Sequence, residues 1–280
     1  MKKGINYWAF PPERDGTAMD PLKSVRYARE LGYDCFELTV EPKGFISPTM
    51  SKQDALTVRR QAETVGIELL TLASGLAWGT SPTDPDPRIR AKSIENYSKI
   101  LEICSWLGVD TLLYLPGMVS AVFAPSFPAQ PYEKVDLLAK EAIRSLLPIA
   151  EKLKIRIAVE NVWNRFLLSP IEMRAFIDHF ESAYVASYFD VGNVMAYGHP
   201  EDWINVLGKR IAAVHMKDFR VSVGTLNGFV DLLSGDVDFA KVMSAFHSVD
   251  YHGPFTAEIV PGAPGAAEKA IAALKVIETM

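Results

Sequence analysis

The sequence predicts an α/β protein built as a single (β/α)₈ TIM barrel spanning residues 1–280. Three observations lead there. Eight short apolar runs alternate with amphipathic stretches of helix length, the rhythm of a parallel sheet whose crossovers are helices. The chain has 280 residues, 49% of them hydrophobic and 22% charged, enough to close one large core. The first apolar run leads into Phe10, Pro11 and Pro12, not into the glycine-rich turn that opens a doubly wound sheet, and no linker or low-complexity segment marks a second domain.

The buried strands are expected at 5–8, 35–40, 68–72, 111–115, 156–160, 186–190, 212–215 and 255–259. The first helix reads from Asp20 as N-cap and Pro21 at the first helical position, through apolar Leu22, Val25, Ala28 and Leu31, to Gly32 as terminator. The second starts at Ser51, with Asp54 three residues on as a capping-box variant, and ends at Gly66. The third carries Ile89, Ile94, Tyr97, Ile100, Cys104 and Leu107 before Gly108. LGYD, VGIE and LGVD therefore recur just ahead of strands two, three and four. Residues 116–131 and 218–237 are the long loops. The first of these holds Phe123 and Phe127 near Pro125 and Pro128 and reads as a lid or a subunit contact, so a homo-oligomer is one expectation.

A net charge of −5 argues against nucleic acid as a partner, since phosphate backbones select basic surfaces. A small anionic substrate needs only one local cationic pocket. Cys35 and Cys104 lie in apolar surroundings and are expected to be buried free thiols. MKKGINYWAF lacks the apolar core of a signal peptide, and no apolar run approaches the ~20 residues of a membrane span. The expectation is a cytoplasmic protein with no membrane partner.

Strand polarity directs attention to four residues. Charges inside barrel strands are costly unless paired or liganded, and catalytic groups gather where the strands end. RIAVE ends in Glu160, ASYFD in Asp190, AAVH in His215 and TAE in Glu258, on the last four strands. Alternation turns these four inward while Val159, Phe189, Val214 and Ala257 face the helices. Three carboxylates side by side repel, and one divalent cation resolves the conflict. An oxygen-rich set with one imidazole suits Mn²⁺ first, with Mg²⁺ or Co²⁺ as alternatives. The competing reading is a metal-free layer of salt bridges. It is disfavoured because no strand-end Lys or Arg stands among the four to balance them.

The segments VENVWNRF at 159–166, FDVGN at 189–193, VHMKD at 214–218 and AEI at 257–259 resemble the xylose-isomerase-like barrels, and within them the ketose and ketose-phosphate 3-epimerases. The resemblance implies that Glu160, Asp190, His215 and Glu258 bind one metal ion. It also implies that Glu160 and Glu258 exchange the C3 proton of a ketose through a cis-enediolate, one taking it and the other returning it on the opposite face. Many free-ketose enzymes of that group carry a His where this chain has Asn193, and a second Glu where it has Leu167 and Leu168. The DVGN and HMKD spelling leans towards the phosphate-handling branch. Other chemistries open to the same constellation are an inosose- or dehydroshikimate-type dehydratase, a hydroxypyruvate or aldose–ketose isomerase, and a non-catalytic sugar-binding relative.

Further candidates lie on the loops. Asn193, Lys217, Arg220 and Arg165 are substrate-binding candidates, the two arginines as holders of a terminal phosphate. Trp8 and Trp78 form either an apolar wall for a sugar face or part of the core. Glu37 either meets a substrate hydroxyl or is an internal polar residue held by a neighbour, and Asp218 either orients a ligand or lies in a solvated turn. His179, His199, His247 and His252 fall in helices or turns and receive no role.

Overall fold

A computed structural model of the chain describes residues 1–12, 19–122, 124–260 and 262–280; Phe123 of the long loop lies outside them. Eight parallel strands close a barrel in the order β1-β10-β7-β6-β5-β4-β3-β2. They are β1 (Lys2–Asn6), β2 (Cys35–Val40), β3 (Thr71–Ser74), β4 (Thr111–Tyr114), β5 (Arg156–Glu160), β6 (Val185–Asp190), β7 (Ile211–Met216) and β10 (Pro254–Ala257). A two-stranded antiparallel ribbon, β8 (Asp218–Phe219) and β9 (Phe229–Val230), stands outside the barrel. Around the barrel run α1 (Pro21–Leu31), α2 (Lys52–Val65), α3 (Pro87–Leu107), α4 (Tyr132–Leu153), α5 (Pro170–Asp178), the single turn α6 (Val191–Val194), α7 (Pro200–Leu207), α8 (Phe239–Ser248) and α9 (Ala266–Ile277). Among the described residues, no helix is long and apolar enough to cross a membrane.

The local chemistry explains the helix ends. Asp20 accepts from the Leu22 N–H at 2.7 Å, and Ser51 from the Asp54 N–H at 3.1 Å, each satisfying a donor that the first turn leaves unpaired. The LGYD, VGIE and LGVD repeats are one device used three times. Gly32, Gly66 and Gly108 adopt φ of 95°, 72° and 78°. The next residue's N–H then turns back onto the helix, from Tyr33 to Ala28, Ile67 to Ala62 and Val109 to Cys104. Each strand that follows thus leaves its helix at a set angle.

Three strands differ from expectation. The eighth ends at Ala257, short of Ile259. The third is displaced to Thr71–Ser74, and Glu68 makes only an isolated bridge to Cys35, because Lys2 holds its carboxylate at the outer rim. The first ends at Asn6, where Tyr7–Ala9 turns into a short 3₁₀ segment. Cys35 and Cys104 are free and buried. A register shift at Ser187/Tyr188 sets Tyr188 and Asp190 opposite Ala213 and His215, and such an irregularity re-aims the residues beyond it.

Candidate active site

Each of the four strand-end residues is fixed by its own element. Glu160 is the last residue of β5. Asp190 ends β6 and also caps α6, accepting the Asn193 N–H at 2.8 Å. Asn161 grips it further: its side chain accepts the Asp190 N–H and donates to the Asp190 carbonyl, both at 2.8 Å. His215 lies opposite Asp190 on one side and Thr256 on the other. Glu258 falls one residue past β10 but stays tied to the barrel through its N–H to the Met216 carbonyl at 3.2 Å. One ligand-type atom from each of the four lies within 4.8 Å of all the others, close to the span of oxygen and nitrogen donors that share one ion at roughly 2.2 Å.

The imidazole is oriented from behind. His215 Nε2 faces Glu37 Oε1 at 2.7 Å, and the other oxygen of Glu37 is held by the Tyr188 hydroxyl. A proton on Nε2 satisfies Glu37 and leaves Nδ1 free to point at the cluster, the arrangement that carboxylates impose on ligating histidines. Nδ1 lies 2.5 Å from Glu258, 3.8 Å from Glu160 and 4.0 Å from Asp190. Glu37 is thus an internal partner of His215, one of the two roles its position in β2 allowed.

Lys217, expected as a substrate contact on the loop, belongs to the cluster itself. Lys217 lies two residues beyond His215, so strand alternation brings it back to the inward face. Its Nζ reaches Asp190 at 2.9 Å and Glu258 at 2.8 Å, and it stands 5.4 Å from the centre of the Phe229 ring. The expectation that no cation stands among the four is therefore wrong. A scan of every inward position past the strand end, and not only the last one, finds it.

These charges set the proton affinities. Burial drives Glu160 up to about 7, aided by Glu258 and Asp190 and opposed by His215 and Lys217. Burial likewise raises Asp190, against the pull of Lys217. Burial also acts upward on Glu258, but Lys217 and His215 outweigh it and hold that carboxyl well below the usual range. For His215, burial favours the neutral ring, yet Glu258 and Glu37 prevail and raise it well above its ordinary value. Asp190 Oδ2 and Glu258 Oε2 share Lys217 Nζ, and His215 Nδ1 faces Glu258, yet these buried polar atoms make no hydrogen bond of proper direction, which is rare. Three of them converging on one point, with Glu160 beside them, is a donor set that fits a divalent cation.

Above the cluster opens a cavity of about 730 Å³. Trp8 and Trp78 line it while also packing against the core, and Asn193, Lys217 and Glu160 line it too. Asn193 spends its amide N–H on the Asn161 carbonyl at 3.0 Å, and its own carbonyl accepts the Trp163 indole N–H at 2.9 Å. Arg220 does not border the cavity; it is exposed and donates to the Ser234 carbonyl at 2.6 Å, because the β8–β9 ribbon turns it outward. Arg165 lines a neighbouring depression instead. Asp218 does not lie in a solvated turn. It is buried and accepts N–H groups of Phe219, Gly235 and Val237. Trp163 and Phe229 were passed over in the sequence and form the aromatic side of the cavity; the Trp of NVWN was the signal available.

Comparison with known proteins follows the same outline. The Escherichia coli (strain K12) protein provisionally named L-ribulose-5-phosphate 3-epimerase SgbU is 26% identical over 244 residues, covering 83% of this chain and 81% of that one. An L-ribulose 3-epimerase of Methylomonas sp. (strain DH-1) is 26% identical over 251 residues, 87% of this chain and 80% of that one. The crystal structure of D-psicose 3-epimerase with D-tagatose from Clostridium cellulolyticum H10 superposes with a TM-score of 0.81 at 18% identity, over 100% of this chain and 99% of that chain, and so shares the fold. The xylose isomerase-like TIM barrel family model matches residues 25–278, nearly the full length of the closed parallel barrel, and the chain belongs to that family.

Proposed function

We propose that the protein is a metal-dependent 3-epimerase of a ketose or ketose phosphate, with Glu160 and Glu258 as its proton-exchanging pair. The observation that carries this reading is the buried convergence of Glu160, Asp190, His215 and Glu258 at the floor of a 730 Å³ cavity. Those four residues would hold one divalent ion, Mn²⁺ by the oxygen-rich donor set, with Mg²⁺ or Co²⁺ as substitutes. Such an ion polarises a ketose carbonyl at C2 and so acidifies the hydrogen on C3.

The chain's own residues supply the rest. Glu160 and Glu258 rise from strand ends separated by β6 and β7, which supports approach to a planar cis-enediolate from its two faces. Their environments push their proton affinities apart, the pattern of an acid and a base sharing one reaction. Epimerisation runs both ways, so each carboxyl is the base in one direction. Asp190 and His215 stay in place while the proton moves, the first gripped by Asn161 and the second by Glu37. Trp8, Trp78 and Trp163 exclude water from the sugar's far side.

A dehydratase or an aldose–ketose isomerase would use the same glutamate pair. The relatives described above, named for ribulose 3-epimerases, favour epimerisation. Neither arginine expected to hold a phosphate borders this cavity, whereas Lys269 does, paired with Asp231 at 3.0 Å. Incubation with Mn²⁺ and a panel of ketoses and ketose phosphates in D₂O tests the reading. Deuterium at C3 with formation of the epimer is the expected result. Loss of water, or exchange at C1 alone, assigns the lyase or the aldose–ketose isomerase instead.

A further inference from the structure

The cavity over the glutamates does not end at its rim. A second depression of about 620 Å³ shares Val162, Trp163, Leu226 and Asn227 with it. It is built by the segments that follow β4, β5, β6 and β7, on the face where barrels bind substrate. Its apolar side chains stand open: Val122 is 58% exposed, Leu168 47%, Leu226 42% and Tyr197 40%. Arg165 is the sole Lys, Arg, Asp or Glu side chain among its described lining residues.

The segment that presents Arg165 is held in a conformation it would not choose alone. Arg165 and Leu167 have φ of 55° and 56°, a region that non-glycine residues avoid. Four hydrogen bonds enforce it. Asn164 Nδ2 donates to the Gly117 carbonyl at 2.8 Å and Asn164 Oδ1 accepts the Phe166 N–H at 3.0 Å. The Leu167 N–H reaches the Tyr132 hydroxyl at 2.9 Å, and the Leu168 N–H reaches Glu172 at 2.9 Å. Backbone strain of this kind persists only where the surroundings over-determine it, and it gathers at ligand sites. Trp163, the partition between the two depressions, is fixed as well, by its indole bond to the Asn193 carbonyl and by edge contact with Phe219.

We infer that this depression is an outer subsite for a glycosyl group, and that the substrate is a ketose carrying a second sugar at the end remote from its carbonyl. The inference rests on the epimerase reading for the inner half of the substrate. The walls decide the chemistry of the outer half. Aromatic and aliphatic surfaces receive the C–H face of a pyranose ring, while Asn227, Thr225 and Arg165 offer partners to its hydroxyls. A phosphate gathers several charged or N–H donors, and here a single guanidinium stands among apolar walls.

The test compares fructose, 6-O-glucosylfructose and fructose 6-phosphate on the Mn²⁺-loaded protein, by titration calorimetry and by C3 deuterium exchange. The expected result is a dissociation constant for 6-O-glucosylfructose at least about tenfold below that for fructose, and a matching advantage in kcat/KM. Both advantages should collapse in Leu168→Asp and in Tyr197→Ala. Equal affinity for glucosylated and bare fructose overturns the subsite while leaving the epimerase reading intact. A phosphate advantage of the same size that disappears in Arg165→Ala also overturns it. Tighter binding of the glucosylated sugar without exchange at C3 supports the subsite and instead removes the epimerase reading.

Discussion

At the scale of single residues, the site is a contest between burial and a few fixed charges. Glu160, driven to about 7 by burial, must give up its proton to an incoming cation, and so must His215, raised by Glu258 and Glu37. The affinity for Mn²⁺ should therefore fall as pH falls, by roughly tenfold per pH unit for each proton displaced. The fall should steepen below about pH 7, where Glu160 joins His215. Calorimetry across pH 5.5–8.5, in buffers of different ionisation enthalpy, reads both the affinity and the protons released; an affinity flat with pH would contradict this account. Glu160→Gln keeps the shape of the side chain and removes its basicity. Turnover and C3 exchange should drop by at least about a hundredfold, while Asp190, His215 and Glu258 still bind Mn²⁺. Retained exchange in that variant would move the base elsewhere. The four inward residues were legible in the sequence because a charge at the end of a buried apolar run is costly unless something pairs or ligates it. Lys217 was legible only as a loop contact for substrate, since it lies past the run and looks like part of a polar turn.

At the scale of elements, two glycines test two kinds of physics with the same substitution. Gly66 ends α2 at φ 72°, and a Cβ there meets nothing within 4 Å. Gly66→Ala should cost only the left-handed strain, about 1–2 kcal/mol, with activity untouched; denaturant unfolding reads the loss. Gly192 lies in the α6 turn, and a Cβ there would come within 2.5 Å of Lys217 Cβ. Gly192→Ala should push α6 and Lys217 apart, lowering stability by roughly 1–3 kcal/mol and activity with it, because Asp190 and Lys217 both move. Equal activity in the two variants would show that this contact does not position the site. The helix boundaries were read correctly because caps are local: Asp20, Ser51 and three glycines act within a turn of themselves. The third strand was misplaced for the opposite reason. Which stretch of 67–74 enters the barrel depends on pairing with Leu38, Thr39 and Val40, and sequence spacing carries no record of that.

At the scale of the whole molecule, the barrel and the ion would be linked by mass action. A cation that binds only the folded chain adds about 2.7 kcal/mol at a hundred times its dissociation constant, roughly 4–6 °C in Tm for a chain of this size. Thermal unfolding with and without Mn²⁺ should show that rise. It should be absent in His215→Ala at the same Mn²⁺ concentration. A rise of the same size in that variant would place the ion elsewhere.

Asp218 anchors the ribbon loop. Its carboxylate gathers the N–H groups of Phe219, Gly235 and Val237 at the root of the ribbon loop, and everything between 220 and 234 hangs from that knot. The loop carries Leu226 and Phe229 to the mouth of the cavity, yet none of the four candidate ligands lies in it. Apart from Phe229, which stands beside Lys217, length and sequence can vary beyond the knot with the four candidate ligands left where they are. Evolution, or a protein engineer, can exchange this loop as a cassette, changing what is admitted while leaving the proton chemistry as it stands.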